Sequence, residues 1–397
     1  MNNITVQKFG GSSLATPEKI KSVAAKIYKR ISYGEKLVVV VSAMGKTTNS
    51  LISLSKEICS NPDPRELDML LSTGEQVSVS LMTMALKEYG ISAISLNSFQ
   101  AGINTFGDYS SARIRDFDSG KLSEYVEKNQ VVVITGFQGI NEEGDITTLG
   151  RGGSDTSAVA IAAALNAKCE IYSDFAGIYT ADPKIHPGAK KLKTISYDEM
   201  LEMSGLGAKV LHTRAVEIAK KFGIEIYCGA TFSDEEGTTV TMNTIENPVV
   251  TGMSIQDDQT LVTVNNLKPD FNTVRNLFET IADNNHNVDM ISVINNNGTI
   301  NLSFSVIEDE REYVENIIKT FLGNMPESVL NYDHNNVKLS VVGIGMRDAK
   351  GVASRFFKAL SNVPIKLVTT SEIKISCLFT KEYLNDAVKS ITEEFGL

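Results

Sequence analysis

Apolar residues in the first 230 positions follow two spacings that alternate along the chain. Short continuous runs, typical of strands buried on both faces, occupy residues 4–9, 37–41, 131–135, 169–172 and 224–228. Helical spacing of apolar residues occurs between them, in segments 18–31, 75–87, 156–166 and 215–222. The alternation predicts an α/β fold of three layers, in which helices cover both faces of a mostly parallel sheet.

The chain turns polar between residues 232 and 248, which predicts a first domain at 1–235 and a linker at 236–248. A βαββ pattern followed by a helix then occurs twice. Strands at 260–267, 288–293 and 299–306 with a helix at 271–283 recur as strands at 337–344, 365–369 and 373–379 with a helix at 352–360. We therefore expect two ferredoxin-like βαββαβ units, at 258–333 and 334–397.

Each ferredoxin-like unit needs a fourth strand. The first unit can use residues 328–332, whereas the second unit runs out of chain after its last helix. We expect residues 249–257 to complete the second unit, which would nest the first unit inside it. A pairing of 249–255 with the first unit alone would contradict this topology.

Composition narrows the class of protein. A chain of 397 residues with 42% hydrophobic residues can bury more than one packed core, and a net charge of -10 argues against broad binding to nucleic acid or acidic membranes. The cysteines lie far apart without metal-ligand or redox spacing, so we expect them to be buried in a reducing cytoplasm and expect no metal site. No secretory signal and no apolar run near the length of a membrane helix is present, which predicts a soluble cytoplasmic protein.

A glycine turn follows the first predicted strand. Lys8 and Phe9 end the strand, and Gly10 and Gly11 come next. Two glycines allow backbone amides to converge on an anion, and the lysine adds a positive charge at the edge of the sheet where ligands bind in α/β folds. Taken alone, the turn is equally compatible with a tight strand-to-helix connection and a solvated lysine.

A second glycine turn opens the helix predicted at 156–166. It combines Arg151, Gly152, Gly153, Ser154 and Asp155. A guanidinium that can bind bidentately, flexible glycines and helix-terminal amides together predict an anion site. Ordinary helix capping by Ser154 or Asp155 is the alternative, but capping does not account for the arginine and both glycines.

The chain resembles the aspartokinase family in a series of segments that occur in the family's order. They read KFGGSS at 8–13, VVSAMGKTTN at 40–49, TGE at 73–75, GFQG at 136–139, TTLGRGGSD at 147–155 and YTADP at 179–183. The tandem βαββ units likewise resemble the family's paired ACT regulatory domains. The resemblance implies a carbamate-kinase-like amino acid kinase domain followed by two ACT domains.

The resemblance also implies a reaction. Aspartokinases transfer the γ-phosphoryl group of ATP to the side-chain carboxylate of L-aspartate, which gives 4-phospho-L-aspartate, the first step towards lysine, threonine and methionine. A carboxylate with a pKa of ~3.9 is already ionised at neutral pH, so this chemistry needs no general base. ATP is the implied cofactor, together with Mg²⁺ carried mainly by the phosphates.

The family's residue roles map onto this sequence by motif. The resemblance implies that Lys8 stabilises the transferring phosphoryl group, that Lys209 approaches from the nucleotide side, and that Asp155 holds both lysines. For the substrate, Arg151 would bind the α-carboxylate and Glu75 the α-ammonium, with further contacts from Ser42, Thr47, Thr48, Gly152, Gly153 and Ser154. For ATP, the implied residues besides the two lysines are Phe9, Gly10, Gly11, Ser173, Asp174, Tyr179, Asp182, Pro183 and Lys184.

The chain departs from the family's usual sequence at two positions. Lys184 stands where arginine is common, which loses the forked hydrogen bonding of a guanidinium. Thr213 stands where the family usually has proline, which we expect to alter a helix start and not the chemistry. Thr47 and Thr48 are also ordinary loop and cap hydroxyls, so their role as ligands stays open.

The ACT pair implies feedback by an amino-acid effector and assembly into a homodimer or larger homo-oligomer. The segment 286–297 resembles the effector-binding side of the first ACT domain, and its candidate residues are Asp289, Met290, Ile291 and Ser292. The effector would be lysine and/or threonine, with lysine favoured. The turn at 268–271 departs from the pattern, because it lacks the glycine that many ACT domains carry there and that lets the backbone approach a ligand.

Two other functions are compatible with parts of the sequence. Another amino acid kinase, acting on glutamate or acetylglutamate, would share the glycine turns, but the ACT pair and the TTLGRGGSD segment count against it. A non-enzymatic amino-acid sensor would need only the ACT pair. The intact set of Lys8, Glu75, Arg151, Asp155 and Lys209 counts against a sensor.

Overall fold

A computed structural model describes residues 4–205, 210–242, 248–296, 298–323 and 325–397. The chain forms two compact units. Described residues 4–179, 191–205 and 210–242 belong to the first unit, and 180–190 group with the described residues from 248 onwards in the second. The segment 180–190, which the sequence placed in the first domain, therefore packs with the second unit.

The first unit alternates strands and helices. Its strands are β1 (Ile4–Phe9), β2 (Lys36–Val41), β3 (Ala93–Leu96), β4 (Ile103–Phe106), β5 (Arg113–Phe117), β6 (Val131–Thr135), β7 (Gln138–Ile140), β8 (Ile146–Thr148), β9 (Lys168–Ser173), β10 (Thr194–Ser196), β11 (Ile226–Ala230) and β12 (Thr238–Thr241). Its helices are α1 (Pro17–Ile31), α2 (Thr47–Ile58), α3 (Pro64–Glu88), α4 (Ser98–Ala101), α5 (Ser119–Lys128), α6 (Gly153–Leu165), α7 (Tyr197–Gly205) and α8 (Thr213–Phe222).

The main sheet of the first unit has the strand order β10-β12-β11-β9-β1-β2-β6-β3. All its pairings are parallel except that of β11 with β12. Strand β2 is buried from Leu37 to Val41, because helices cover both faces of the sheet, and this explains its unbroken apolar run. A smaller sheet, β5-β4-β7-β8, lies in the same unit.

Helix α3 is longer than the segment 75–87 predicted from the sequence. It begins at Pro64, and the carboxylate of Asp63 caps it by accepting from the amides of Arg65 and Glu66. The sequence did not predict the first half of α3, because polar side chains, including Asp68, face the interior there and interrupt the apolar periodicity.

The second unit contains the two predicted repeats. Its strands are β13 (Gly252–Leu267), β14 (Asp289–Asn296), β15 (Thr299–Ile307), β16 (Val329–Val342), β17 (Ile365–Thr370) and β18 (Lys374–Thr380). Its helices are α9 (Phe271–Asp283), α10 (Arg311–Leu322), α11 (Val352–Ala359) and α12 (Leu384–Phe395).

The repeats share one antiparallel sheet with the order β14-β15-β13-β16-β18-β17. Strands β13 and β16 each join two pieces that the sequence suggested as separate. The first part of β13, from Gly252 to Gln256, pairs with the second repeat through Lys338–Val342 of β16, and its later part pairs with the first repeat. This is the pairing that the nested topology requires.

Each half of this sheet has its own core. One apolar cluster gathers Val262, Leu302 and Phe304 of the first repeat, and the other gathers Leu339, Phe356 and Phe379 of the second. Ala181 belongs to the second cluster, and the carbonyl of Thr180 accepts a hydrogen bond from the amide of Met253. These contacts explain why 180–190 pack with the second unit.

The cysteines correct one expectation. Cys169, Cys228 and Cys377 are buried, but Cys59 is exposed at the end of α2. Of the helices in the described ranges, none combines the length and the apolar character needed to cross a bilayer.

Candidate active site

A cleft of about 320 Å³ in the first unit collects most of the predicted substrate-binding residues. Strands β1 and β2 end at this edge of the sheet, and helices α2 and α6 begin there. The residues that line the cleft are Lys8, Gly11, Ser42, Ala43, Gly45, Thr48, Glu75, Phe137, Gly150, Arg151, Gly152, Gly153, Ser154 and Asp155.

Lys8 and Asp155 form an ion pair at the floor of the cleft. The ammonium Nζ lies 2.5 Å from Oδ1 of the carboxylate, and each side chain is only about a tenth exposed (11% and 12%). Lys8 is near the end of β1, and Asp155 is in the first turn of α6. A partly buried pair is screened less than a surface pair, so the carboxylate holds the ammonium of Lys8 in place.

The first glycine turn brings two loops into direct contact. A Cβ atom added to Gly11 would lie 2.7 Å from the carbonyl oxygen of Ala43, so only glycine fits there. The carbonyl of Gly11 accepts a hydrogen bond of 2.9 Å from the amide of Gly45. A Cβ atom on Gly10 would stand 3.6 Å from Nζ of Lys8, so the absence of a side chain leaves room for a ligand beside the ammonium.

The second glycine turn holds Arg151 at the mouth of the cleft. Gly152 has a φ of 72°, and a Cβ atom on it would lie 2.1 Å from the ring of His212. Burial lowers the pKa of His212, although Asp155 opposes the shift, so the ring is neutral at pH 7. Arg151 is exposed and forms no ion pair within the described ranges, which leaves its guanidinium available for an anion.

Glu75 is a buried carboxylate with one oxygen unused. Its Oε1 accepts a hydrogen bond of 2.9 Å from the amide of Ala43, whereas Oε2 has no partner among the residues described. Burial raises the pKa of Glu75 to about 7, and the hydrogen bond from Ala43 opposes that shift. An ammonium group bound at Oε2 would compensate the buried charge.

Other predicted residues at this edge have structural roles. The hydroxyl of Thr47 donates to the carbonyl of Met44 at 2.6 Å at the start of α2, and Thr47 does not line the cleft, whereas Thr48 does. The ring of Phe9 is fully buried and stacks on Tyr172 with centroids 5.2 Å apart. Phe9 therefore belongs to the core and does not line the cleft.

Of the residues predicted to bind ATP, Lys8 and Gly11 line this cleft, whereas the others within the described ranges do not. Ser173 ends β9 beside β1, and its hydroxyl accepts from the amide of Phe175; exposed Asp174 follows it. Tyr179 also belongs to the first unit, but Asp182, Pro183 and Lys184 group with the second. There the carboxylate of Asp182 accepts from the amide of Lys184. Lys209 lies outside the described residues.

Sequence reasoning missed four residues that line the cleft, namely Ala43, Gly45, Phe137 and Gly150. Phe137 has a φ of 72°, a conformation rare for a large side chain. Its amide donates to the hydroxyl of Ser157, and its carbonyl accepts from the amide of Leu149. The GFQG segment contained Phe137 and was the signal that could have identified it.

The predicted effector residues lie at the start of β14 in the second unit. Asp289 forms an ion pair with Lys338, a lysine that is only 3% exposed. Burial works to raise the pKa of Asp289, but the hydrogen bond and charge of Lys338 outweigh it, so the net shift is downward. Met290 is buried with a φ of 51°, whereas Ile291 is 48% exposed and Ser292 is half-buried.

Comparisons with known proteins find relatives for both units. Residues 3–229 match the amino acid kinase family, and residues 339–395 match an ACT domain. An aspartokinase of Bacillus sp. (strain MGA3) is 44% identical over 402 residues, which cover 99% of this chain and 97% of that relative. An aspartate kinase structure from Synechocystis is 38% identical with a TM-score of 0.55, over 99% of this chain and 69% of that one. E. coli aspartokinase III, solved with aspartate and ADP, shares the fold with a TM-score of 0.81 at 23% identity, over 99% of this chain and 100% of that one.

These matches confirm the family resemblance and the fold class derived from the sequence. The kinase match covers more than half of the chain, and the aspartokinase relative aligns along nearly all of it. The chain therefore belongs to the aspartokinase family of ATP-dependent phosphotransferases, with an amino acid kinase domain followed by ACT regulatory sequence.

Proposed function

We propose that this chain transfers the γ-phosphoryl group of ATP to the side-chain carboxylate of L-aspartate and releases ADP and 4-phospho-L-aspartate. One observation carries the proposal: a single cleft combines the Lys8–Asp155 pair, the buried Glu75 and Arg151, which has no ion pair among the described residues. The cation matches the α-carboxylate of an amino acid, and the anion matches its α-ammonium. Lys8 then faces the third charged group, the side chain.

The chemistry requires positioning and no proton transfer. The aspartate side chain, with a pKa of ~3.9, is ionised at neutral pH and attacks as it stands. One of its oxygens forms a bond to the γ-phosphorus, and the bond from that phosphorus to the β–γ bridging oxygen breaks, so ADP leaves with the electron pair. Lys8, held by Asp155, stabilises the negative charge of the transferring group.

The residues present fit a polyphosphate. The glycine turn leaves open space beside the ammonium of Lys8, and the N-terminus of α6 faces the same cleft, where its amides and dipole favour negative charge. We assign the binding of the nucleotide's ribose and base to Ser173, Asp174, Tyr179, Asp182, Pro183 and Lys184, and a phosphate contact to Lys209.

Mg²⁺ belongs to the phosphates in this proposal. In the described ranges no group of His, Cys, Asp or Glu side chains is arranged to hold a metal ion. Asp155, the carboxylate nearest the phosphoryl site, is already paired with Lys8. The ion would therefore enter with ATP, and the steps above are derived without it.

A coupled assay of ADP release tests the reaction. The purified chain is given ATP with aspartate, glutamate or acetylglutamate, and turnover is expected with aspartate. Lys8→Ala should abolish turnover while the thermal melting curve stays cooperative. Absence of turnover with aspartate would contradict the proposal, and turnover with glutamate or acetylglutamate alone would favour the alternative kinases.

We further propose that the reaction is the first step of lysine, threonine and methionine biosynthesis and that lysine and/or threonine inhibits it through the ACT sequence. The support is Asp289 at the start of β14, whose carboxylate pairs with Lys338 but remains half-exposed, and an exposed carboxylate suits the ammonium of an amino acid. The assay is repeated with lysine, threonine and both. Asp289→Ala should abolish the inhibition without lowering the uninhibited rate, and inhibition that persists in the variant would remove Asp289 from the effector site.

A further inference from the structure

The turn that carries Arg151 is fixed by two charged side chains outside the cleft, Asp68 of α3 and Arg214 of α8. Neither residue lines the cleft, and neither belongs to the ligand set derived above. Both form hydrogen bonds with residues just before Gly150: Asp68 with Thr148, and Arg214 with Leu149. Their contacts determine where the guanidinium of Arg151 can stand.

Asp68 is fully buried and accepts four hydrogen bonds. Thr148, the last residue of β8, donates its amide at 2.8 Å and its hydroxyl at 2.7 Å. Ser110 donates its amide at 2.8 Å and its hydroxyl at 3.0 Å. One carboxylate therefore joins the end of β8 to the loop before β5.

Arg214 acts on the next residues of the same two segments. Its guanidinium donates to the carbonyl of Leu149 at 2.5 Å and to the carbonyl of Ala112 at 2.9 Å. The amide of Ala112 in turn donates to the carbonyl of Thr148. No carboxylate lies within ion-pair distance of Arg214 in the described residues, so both of these contacts are made to backbone carbonyls.

The loop at Ser110 also touches the glycine turn itself. A Cβ atom on Gly150 would lie 2.9 Å from the carbonyl oxygen of Ser110, and Gly150 has a φ of 73°. Three contacts therefore confine the backbone between Thr148 and Arg151. Asp68 binds Thr148, Arg214 binds Leu149, and the Ser110 carbonyl packs against Gly150.

Asp68 shares helix α3 with Glu75, about two helical turns away, and both side chains are buried. The helix that presents the carboxylate for the substrate ammonium thus also fixes the turn that presents Arg151 to the substrate carboxylate. We propose that Asp68 and Arg214 are positioning residues that set the separation of Glu75 and Arg151, and through it the affinity and chain-length selectivity for the amino-acid substrate. The inference rests on the proposed roles of Glu75 and Arg151.

Asp68→Asn and Arg214→Lys in the full-length chain test the inference. An asparagine cannot accept from four donors, and a lysine cannot fork to two carbonyls, so each variant loosens the turn without a large change of volume. We expect the KM for aspartate to rise about tenfold in Asp68→Asn and several-fold in Arg214→Lys, while the KM for ATP changes by less than about twofold. The preference for aspartate over glutamate should fall in both variants.

Glu199→Gln is the matched control. Glu199 is fully buried on α7, and its carboxylate accepts from the amide and hydroxyl of Ser196 outside the cleft. The Glu199→Gln variant should lower the melting temperature and leave the ratio of the KM for aspartate to the KM for ATP unchanged. If Asp68→Asn fails to fold, Arg214→Lys decides.

Three results would overturn the inference: an aspartate KM within about twofold of wild type in both folded variants, a parallel rise of both KM values, or the same change in Glu199→Gln. The double variant adds a further check, because two residues that hold one turn should raise the KM by less than the product of their separate effects. A wild-type chain without turnover on aspartate would contradict the proposed function itself, before any variant is compared.

Discussion

Glu75 combines burial with an unused oxygen, and this makes the free enzyme sensitive to pH. Its pKa is raised from 4.5 to about 7 because burial penalises the charged form. Between these values the folded chain binds more protons than the unfolded chain, so the free energy of unfolding falls as pH rises. The shift corresponds to about 3 kcal/mol at most.

The pH dependence of stability checks this prediction. Urea unfolding of the substrate-free chain at pH 5 and pH 8 should show a larger loss of stability for wild type than for Glu75→Gln, which cannot titrate. Since other groups titrate in both proteins, only the difference between them reports on Glu75. Equal pH dependence in the two proteins would contradict the raised pKa.

The same proton should compete with the substrate ammonium. If Glu75 binds the ammonium as we propose, binding needs its ionised form, so the KM for aspartate should rise as pH falls below about 7, approaching tenfold per pH unit, whereas the KM for ATP should not follow it. Steady-state kinetics from pH 5.5 to 8.5 measure both values. A flat aspartate profile would separate Glu75 from the substrate ammonium.

Single residues were predictable where a motif carried them. Lys8, Glu75 and Arg151 were identified from short segments, and the cleft brings them together. The sequence predicts ligand roles for both Thr47 and Thr48, yet the hydroxyl of Thr47 donates to the backbone at the start of α2. Only the direction of a side chain separates such neighbours, and no local pattern encodes it.

At the scale of elements, the β8–α6 connection depends on a glycine that two effects require. Gly152 needs both a φ of 72° and the absence of a Cβ, whose position lies 2.1 Å from His212. Gly34 has a φ of 82° and nothing within 4 Å of an added Cβ, so a side chain there would strain the backbone but would not clash. Comparing the two positions therefore separates the effect of backbone strain from the effect of a steric clash with His212.

Replacing each glycine by alanine tests this difference. Gly34→Ala should cost ~1 kcal/mol of stability and leave kinetics unchanged. Gly152→Ala should also displace the start of α6 or the ring of His212 and lower kcat/KM for aspartate by about tenfold or more. His212→Ala added to Gly152→Ala should recover part of the loss, and equal kinetics of the two single variants would show that the collision has no consequence.

Elements followed from the sequence where apolar periodicity was intact. Strands β1 and β6 have the predicted limits because their residues are buried in unbroken runs. The first half of α3 was missed because Asp68 faces inward, and its partners lie in loops distant in sequence. The continuity of β13 was missed because Asp257 and Asp258 interrupt its apolar pattern at a bulge.

At the scale of the whole molecule, the grouping of 180–190 with the second unit could not be predicted. The YTADP segment reads as part of the kinase half, and its neighbours on both sides do lie in the first unit. The apolar contact of Ala181 and the hydrogen bond from Met253 to Thr180 decide the grouping. The hydrogen bond joins residues 73 positions apart, and the other buried members of the cluster around Ala181 begin at Val250, so no local spacing reveals these contacts.

Strand β14 is the feature that bears on assembly. It lies at the end of the sheet of the second unit, where it pairs with β15, and no strand within the described ranges pairs with its other edge. Ile291 and Ile294 on it are 48% and 58% exposed. A long edge strand with exposed apolar residues is a template for pairing with another chain, and we propose that this strand forms the homodimer or larger homo-oligomer that the ACT pair implies.

Ile294→Lys tests the assembly, because a charged residue on an edge strand opposes pairing between chains. Sedimentation velocity should give wild type at least twice the 43.2 kDa of one chain and the variant a shift towards that single mass. Ile58→Lys, at a position 86% exposed on α2 of the other unit, is the control and should sediment as wild type.

An effector bound next to the strand that forms the interface would couple to assembly, so Ile294→Lys should also weaken inhibition by the effector. An unchanged mass in Ile294→Lys would exclude β14 as the interface, and a monomeric wild type would contradict the dimer itself.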